Sequence, residues 1–342
     1  MSSESAREQG WGMPWPGAAI AREAELAGAL AFCAGEFANT NAYVALAEMA
    51  AATTTAKIGT GVAYAFARSP FVHASAARHV DRLAPGRVFL GLGSGTRRMN
   101  ESWFAAPADR PLARMADMVG AIRSYLTAPN MKTVKYDGEF YSLDAAIMAP
   151  VLGPIDVPII LGAFNAGMLK VAGRVADGII GHGLFTDRWW DETIDPNLAE
   201  GAASVGRDAD ALRRWGWVIT SVSDEDPARA ERDARLMIAF YVTVKTYDTL
   251  TSRHGWDRAV AEIRDAFRRT DIDAMATAVP QDMLDAIAIY GTTAEARDRL
   301  AARRRLPRLR FHSPPSFMVS PRRLEGYSRA IVDLLGTTRT TP

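Results

Sequence analysis

A single cysteine, five histidines and almost no net charge set the first limits on this chain of 342 residues. With Cys33 alone, no disulfide can form within the chain. Cys33 lies in the apolar run Ala29–Ala34, where a small buried residue is expected and not a reactive thiol. Of His73, His79, His182, His254 and His312, only the first two are close, six residues apart. At roughly 100° per residue they point about 240° apart on a helix, so they cannot share a metal, and none is expected. The formal net charge of +1 gives no field toward nucleic acid or an anionic membrane. No run of ~18 apolar residues exists to span a bilayer. Met1–Pro16 lacks the apolar stretch of a signal peptide. A cytoplasmic location, with no nucleic-acid or membrane partner, is the expectation. Two catalytic signatures are also missing. Ser94 has Leu92 and Thr96 where a nucleophile elbow needs glycines, and there is no Walker loop.

What the chain does have is 48% apolar and 23% charged residues, enough to fill one large core. Short apolar runs alternate with helical stretches. Ala29–Cys33, Lys57–Ala63, Arg87–Leu92, Val157–Leu161, Gly178–Ile180, Trp215–Ser221 and Leu309–His312 read as strands. Asn41–Thr54, Pro70–Ala84, Leu112–Leu126, Ala166–Val175, Pro227–Phe240 and Pro321–Leu335 read as helices. This rhythm means parallel pairing with right-handed crossovers. Length and the number of strand–helix units favour a (β/α)8 TIM barrel over an open sheet. The barrel is expected over residues 18–342, behind an N-terminal extension of residues 1–17. That extension offers no strand-like run, so the first strand is degenerate or the barrel closes imperfectly there. Tyr136–Leu143 suggests a small hairpin. Helical insertions near 186–206 and 244–302, the second almost wholly helical, are expected to cap the barrel mouth. The cluster Arg303-Arg304-Arg305 reads as a solvated helix end.

Three strand ends carry glycine: Gly59-Thr60-Gly61-Val62, Gly91 to Gly95, and Leu161-Gly162-Ala163-Phe164-Asn165. The second follows a strand, but it has Thr96 where a dinucleotide fingerprint needs its last glycine. In a barrel all three open on one face, where they could cradle a flat, phosphate-bearing ligand. The third precedes a helix near Ala166, whose first backbone N–H groups suit the phosphate.

From Ile58 to Asn100 the chain closely resembles the luciferase-like monooxygenase superfamily, in its branch using the deazaflavin coenzyme F420. The likeness lies in a Gly-Thr-Gly-Val strand, Arg68-x-Pro70, Asp81-Arg82-Leu83, Pro85-Gly86-Arg87, and Gly-x-Gly-Ser-Gly with Asn100. Further on come Tyr136-Asp137-Gly138, Val157-Pro158 leading to Leu161-Gly162, Ala176-Asp177-Gly178, Tyr290-Gly291-Thr292 and Ser313-Pro314-Pro315. The resemblance implies a luciferase-like barrel that transfers a hydride between F420 and a small organic substrate, as a homodimer. It implies a non-prolyl cis peptide at Gly61–Val62 behind the cofactor ring, with Gly35, Ala63 and Tyr64 bordering the ring. It places Ser94, Gly95, Thr96 and Asn100 at the ring edge or ribityl chain, and Gly162, Ala163, Phe164 and Asn165 at the phosphate.

One departure stands out. Several deazaflavin dehydrogenases of the family carry Asp-His at the end of the second strand, but this chain has Gly35-Glu36-Phe37. Glu36, with a pKa raised beside an apolar ring, is the candidate acid–base group, and His182 is the second candidate. Each is weighed against a purely structural role. Loop aromatics (Trp11, Trp15, Trp103, Phe104, Trp189, Trp190) are candidates to line an apolar substrate pocket. Two further readings stay open on the sequence: an FMN-dependent luciferase-like monooxygenase and a non-catalytic flavin-binding barrel.

Overall fold

A computed structural model describes residues 9–147 and 153–336. In chain order the strands are β1 (Gly10–Pro14), β2 (Ala31–Ala34), β3 (Lys57–Thr60), β4 (Ala63–Tyr64), β5 (Val88–Gly93) and β6 (Thr133–Asp137). They continue with β7 (Ser142–Ala146), β8 (Ile159–Gly162), β9 (Gly178–Gly181), β10 (Arg213–Val222), β11 (Ile289–Gly291) and β12 (Leu309–Ser313). The chain divides into two compact units, one built on residues 30–180 and 196–214, the other on 9–29, 181–195 and 215 onward.

In the first unit β2, β3, β5, β8 and β9 pair in that order, all parallel. Their apolar residues are buried almost without interruption, as a sheet covered on both faces requires. The helices between them start where the chain supplies caps. Asn41 accepts the Tyr43 and Val44 N–H groups ahead of helix Ala42–Ala52. Ser69 caps helix Pro70–Leu83, whose proline sits where no donor is lost. The hairpin expected around Tyr136 is β6–β7, antiparallel. Asp117, on helix Pro111–Leu126, anchors it by accepting from the Tyr136 hydroxyl and the Phe140 and Tyr141 N–H groups.

Other motifs also prove to be fastenings of the backbone. Gly86 takes a positive φ of 71°, and its N–H is accepted by Asp81. Arg87 donates to the Thr53 and Ala56 carbonyls, stapling the start of β3 to that of β5. Asp177 accepts the Ile159 N–H and pairs with Arg123. A Cβ on Gly178 would stand 2.3 Å from the Arg213 carbonyl oxygen, so no larger residue fits there.

The second unit holds β11, β10, β12 and β1 side by side, again parallel. The stretch read as a strandless extension therefore contains β1. Its sequence, Gly-Trp-Gly-Met-Pro, has no β-branched residue, and the strand is set by pairing Gly10–Gly12 with Leu309–Phe311. Residues 244–302 are almost wholly helical, as expected, but they are not all insertion. They include β11, whose three residues are all buried. Trp11, Trp189 and Trp190 are core residues and not pocket linings. The triple arginine is more than a solvated helix end. Arg303, Arg304 and Arg305 pair with Asp187, Asp191 and Asp195, spaced four apart on a helical run with a π turn at Trp190–Ile194. Cys33 is fully buried, and burial pushes its thiol well above the usual value. No helix among the described residues is long and apolar enough to cross a membrane.

His73 and His312 are both 0% exposed, one in each unit. Burial lowers His73 from 6.5 to about 4. Burial, helped by the Arg310 charge, lowers His312 to about 3. An unfolded chain takes up both protons near pH 6.5. Stability is thus full above that pH and is lost as pH falls through about 4 and then 3. Each histidine removes up to ~1.4 kcal/mol per pH unit within its window. Urea midpoints should hold from pH 7.5 to about 6.5 and then fall steadily to pH 5, while the folded-state NMR signals of both rings stay flat. Titration of either ring above pH 6 would show that it is not held neutral.

Candidate functional site

The strands of the first unit are parallel, so the ends of β2, β3, β5 and β8 lie along one edge of its sheet. β3 stops at Thr60, whose hydroxyl donates to the Gly91 carbonyl and accepts the Gly91 N–H. A Cβ at Gly91 would stand 2.0 Å from the Thr60 carbonyl oxygen. The Gly61–Val62 peptide that follows is cis, as expected. Gly61 N–H donates to the Ala34 carbonyl at 2.7 Å, and Glu36 N–H to the Val62 carbonyl at 3.2 Å. The Val62 side chain then lies across the ends of two neighbouring strands. A Cβ on Gly93 would come within 2.5 Å of its Cγ2, and one on Gly162 within 3.2 Å of its Cγ1. The glycines at β5 and β8 give room for this valine. The result is an apolar ledge of half-buried Gly61, Val62 and Gly162 over the fully buried Ala63 and Gly93.

Beside the ledge, Gly95 turns with φ 66° and packs against the Asn100 amide and Tyr64. Asn100 is 3% exposed, and its Nδ2 donates to the Ser94 and Thr96 carbonyls. Its Oδ1 is a buried acceptor without a partner among the described residues. Thr96 caps the short helix Arg97–Ser102. At the β8 end, Gly162-Ala163-Phe164-Asn165 leads into helix Ala166–Val175. Asn165 occupies the cap position but makes no side-chain capping bond; its carbonyl accepts the Met168 and Leu169 N–H groups, which leaves those of Ala166 and Gly167 at the helix start. These groups and the helix dipole suit an anion. On the far side of Gly95, Tyr64 packs on Phe104 at 4.9 Å, Phe104 meets Trp103, and Trp103 meets Phe37 at 5.8 Å. Phe37 and Trp103 are 60% and 53% exposed, an apolar pair that would otherwise be hidden from water.

Glu36 does not have the raised pKa expected of it. Burial of the carboxyl acts upward, but the Arg68 hydrogen bonds and charge and the Tyr64 N–H together bring it below the usual value. Arg68 grips both carboxylate oxygens, and Tyr64 N–H donates to Oε2 at 3.1 Å. This partner was not visible in the sequence. Arg68 stood within a familial motif but 32 positions from Glu36, with no local pattern to join them.

His182 belongs to the second unit. Its Nδ1 accepts the Leu184 N–H at 3.2 Å, so Nε2 carries the hydrogen and faces the Tyr247 hydroxyl at 3.1 Å. Tyr241 packs against the ring edge-on. Burial lowers His182 to about 3, so the imidazole is neutral at working pH. Tyr247, its partner, sits in the helical insertion and also escaped the sequence reading.

The luciferase-like monooxygenase model matches residues 15–308. The chain belongs to this family. Relatives include the 5,10-methylenetetrahydromethanopterin reductases of Archaeoglobus fulgidus and Methanolobus tindarius. They are 31% and 32% identical over 77% of this chain and 77% and 78% of their own lengths. Among solved structures, the coenzyme F420 dependent tetrahydromethanopterin reductase from Methanopyrus kandleri aligns with a TM-score of 0.75. It is 22% identical over 96% of this chain and 98% of its own. The fold is therefore the luciferase-like (β/α)8 barrel that the strand rhythm suggested.

If Val62 depends on the space at Gly93, the two positions are coupled. Gly93→Ala should cost about 1–3 kcal/mol of stability. Val62→Ala in the same chain should recover most of that loss, a coupling of about 1 kcal/mol or more by urea denaturation. Additive costs would mean that Gly93 serves something other than Val62.

Proposed function

We propose that this chain is an oxidoreductase that transfers a hydride between coenzyme F420 and a small organic substrate. The observation that carries the reading is the Val62 ledge, closed on one side by the strand ends and flanked by an uncapped helix start. The family membership and the F420-dependent structural neighbour support it. The residues present fit such a group. The ledge of Gly61, Val62 and Gly162, backed by buried Ala63 and Gly93, would offer an apolar seat for a tricyclic ring. Gly35, Tyr64, Ser94, Gly95, Thr96 and Asn100 would border it. Gly162–Asn165 and the first turn of helix Ala166–Val175 would take the phosphate.

F420, when bound, would supply or accept the hydride, and the protein contributes orientation and a dry surface. Val62 would back one face of such a ring and leave the other open to the substrate. Tyr64 keeps its proton, because burial and the Glu36 charge both raise its pKa. Phe37, Trp103 and Phe104 would hold a substrate with a flat apolar face. His182 acts as a neutral hydrogen-bond donor through Nε2 to Tyr247, and not as a titrating acid. Exposed Val44, Phe71, Val72 and Leu83, on helices Ala42–Ala52 and Pro70–Leu83, supply an apolar face for the homodimer we expect. The single buried thiol accords with a cytoplasmic location.

Fluorescence titration of the purified protein with F420 and with FMN tests the cofactor. F420 should bind at least about tenfold more tightly, a difference of ~1.4 kcal/mol. The reverse order would overturn the reading in favour of a flavin enzyme, and binding of neither would favour a non-catalytic barrel. Trp103→Ala should then raise KM for the substrate with little change in F420 affinity, as expected for a contact made only with the substrate.

A further inference from the structure

We infer that Glu36 is a positioning residue: paired with Arg68, it fixes the backbone from Gly61 to Ala65 under the ring and takes no proton in the reaction. The inference rests on the proposed cofactor reading, and it gives Glu36 a different role from the acid–base work its position suggests.

The segment Gly61–Ser69 has little ladder bonding of its own. Only Ala63 and Tyr64 pair with β5. Side chains from neighbouring elements hold it instead. Glu36 grips it twice, donating its N–H to the Val62 carbonyl and accepting the Tyr64 N–H on Oε2. Arg68 then closes on both carboxylate oxygens. The two side chains are 10% and 17% exposed, so water competes little for the pair. Both oxygens are thus committed to donors. To act as an acid, the carboxylate would have to take up a proton against a guanidinium that stays charged at every working pH.

A second brace reaches the next residues. The Ala65 carbonyl can only accept, so His73 Nε2 donates to it at 3.0 Å. Nδ1 therefore accepts from the Tyr43 hydroxyl at 2.6 Å. Arg68 lies over the Tyr43 ring at 5.4 Å, which joins the two braces. Tyr64 and Ala65 are in this way held by four side chains: Glu36 from the loop after β2, Arg68 from the segment itself, and Tyr43 and His73 from the two following helices; Val62 is held by the Glu36 backbone N–H. Releasing the Glu36 carboxylate frees the Tyr64 N–H and the Arg68 side chain, and leaves the backbone beside Val62 held on one side only. A small misplacement of a ring seat is enough to cost affinity and rate together.

The test compares Glu36→Gln, Glu36→Asp and Arg68→Lys with the wild type. First, amide hydrogen exchange is followed at Tyr64 in the protein without cofactor. Exchange should quicken at least about tenfold in Glu36→Gln and Arg68→Lys, since a lysine cannot hold both oxygens, and less in Glu36→Asp. Second, F420 affinity should weaken about ten- to a hundredfold in the same order. The pH profile of hydride transfer at saturating F420 should keep its shape. Unchanged exchange at Tyr64, or unchanged affinity with a lost limb of the pH profile in Glu36→Gln, overturns the inference. A wild type that binds no F420 overturns the cofactor reading. The exchange result then still decides whether Glu36 holds the segment.

Discussion

Val62 can lie flat across the edge of the sheet only because two strands beside it end in glycine. A side chain at Gly93 or Gly162 would meet its methyl groups at 2.5 or 3.2 Å, and the ledge would rise or tilt. The rest of the first unit follows from accommodating that one residue. β3 must stop early, at Thr60, so that Gly61 can turn the chain outward. Gly91 must lack a Cβ so that β5 can lie close to the Thr60 carbonyl. The aromatic row from Tyr64 to Phe37 begins where the ledge ends. A flat apolar surface at the end of a parallel sheet is unusual because strand ends normally present polar loop backbone. Here that backbone is turned inward and bonded, and the valine is what remains exposed to a ligand.

The polar groups beneath the ledge share one property, which is that their protonation is fixed. Glu36 stays ionised against Arg68, His73 stays neutral between Tyr43 and Ala65, and Tyr64 keeps its hydroxyl proton. A buried ion pair adds little net stability, since the cost of removing two charges from water nearly offsets their attraction. Its value is geometric, because two planar groups joined by two hydrogen bonds permit one arrangement. A compensated pair also leaves almost no net field at the ledge. A group seated there would be held by a rigid support that controls its distance and angle to a substrate.

Legibility in the sequence followed the range of the interactions. Helices with a capping residue before them could be read, because Asn41 and Ser69 act on N–H groups only two or three positions away, although the short helix behind Thr96 escaped the reading. The buried parallel strands could be read from their apolar runs, and the hairpin from its Asp-Gly step. β1 could not, since Gly-Trp-Gly-Met-Pro has no strand propensity and is held by β12, about 300 residues later. β11 was hidden in the same way, three residues inside a long helical stretch. The partners of Glu36 and His182 lie 32 and 65 positions away, so their protonation states were beyond any local pattern. The glycine-rich strand ends were visible as a group, but not the valine that explains two of them.

The motifs that made the family recognisable are mostly those that fasten the backbone. Asp81 and Gly86 make a turn, Arg87 staples two strand starts, Asp177 ties β8 to helix Pro111–Leu126 through Arg123, and Gly178 admits the Arg213 carbonyl. None of them touches the ledge. Asp81, Arg87 and Asp177 each make at least one specific polar contact to backbone, which tolerates fewer substitutes than an apolar contact does. The ledge itself asks only for small and apolar residues, and the aromatic row only for flat ones. A familial signature can therefore persist in the scaffold while the substrate face changes. Phe37, Trp103 and Phe104 are positions where this chain can differ from its relatives without disturbing the support below. On the proposed function, that separation would put substrate choice in the exposed row and cofactor geometry in the braces.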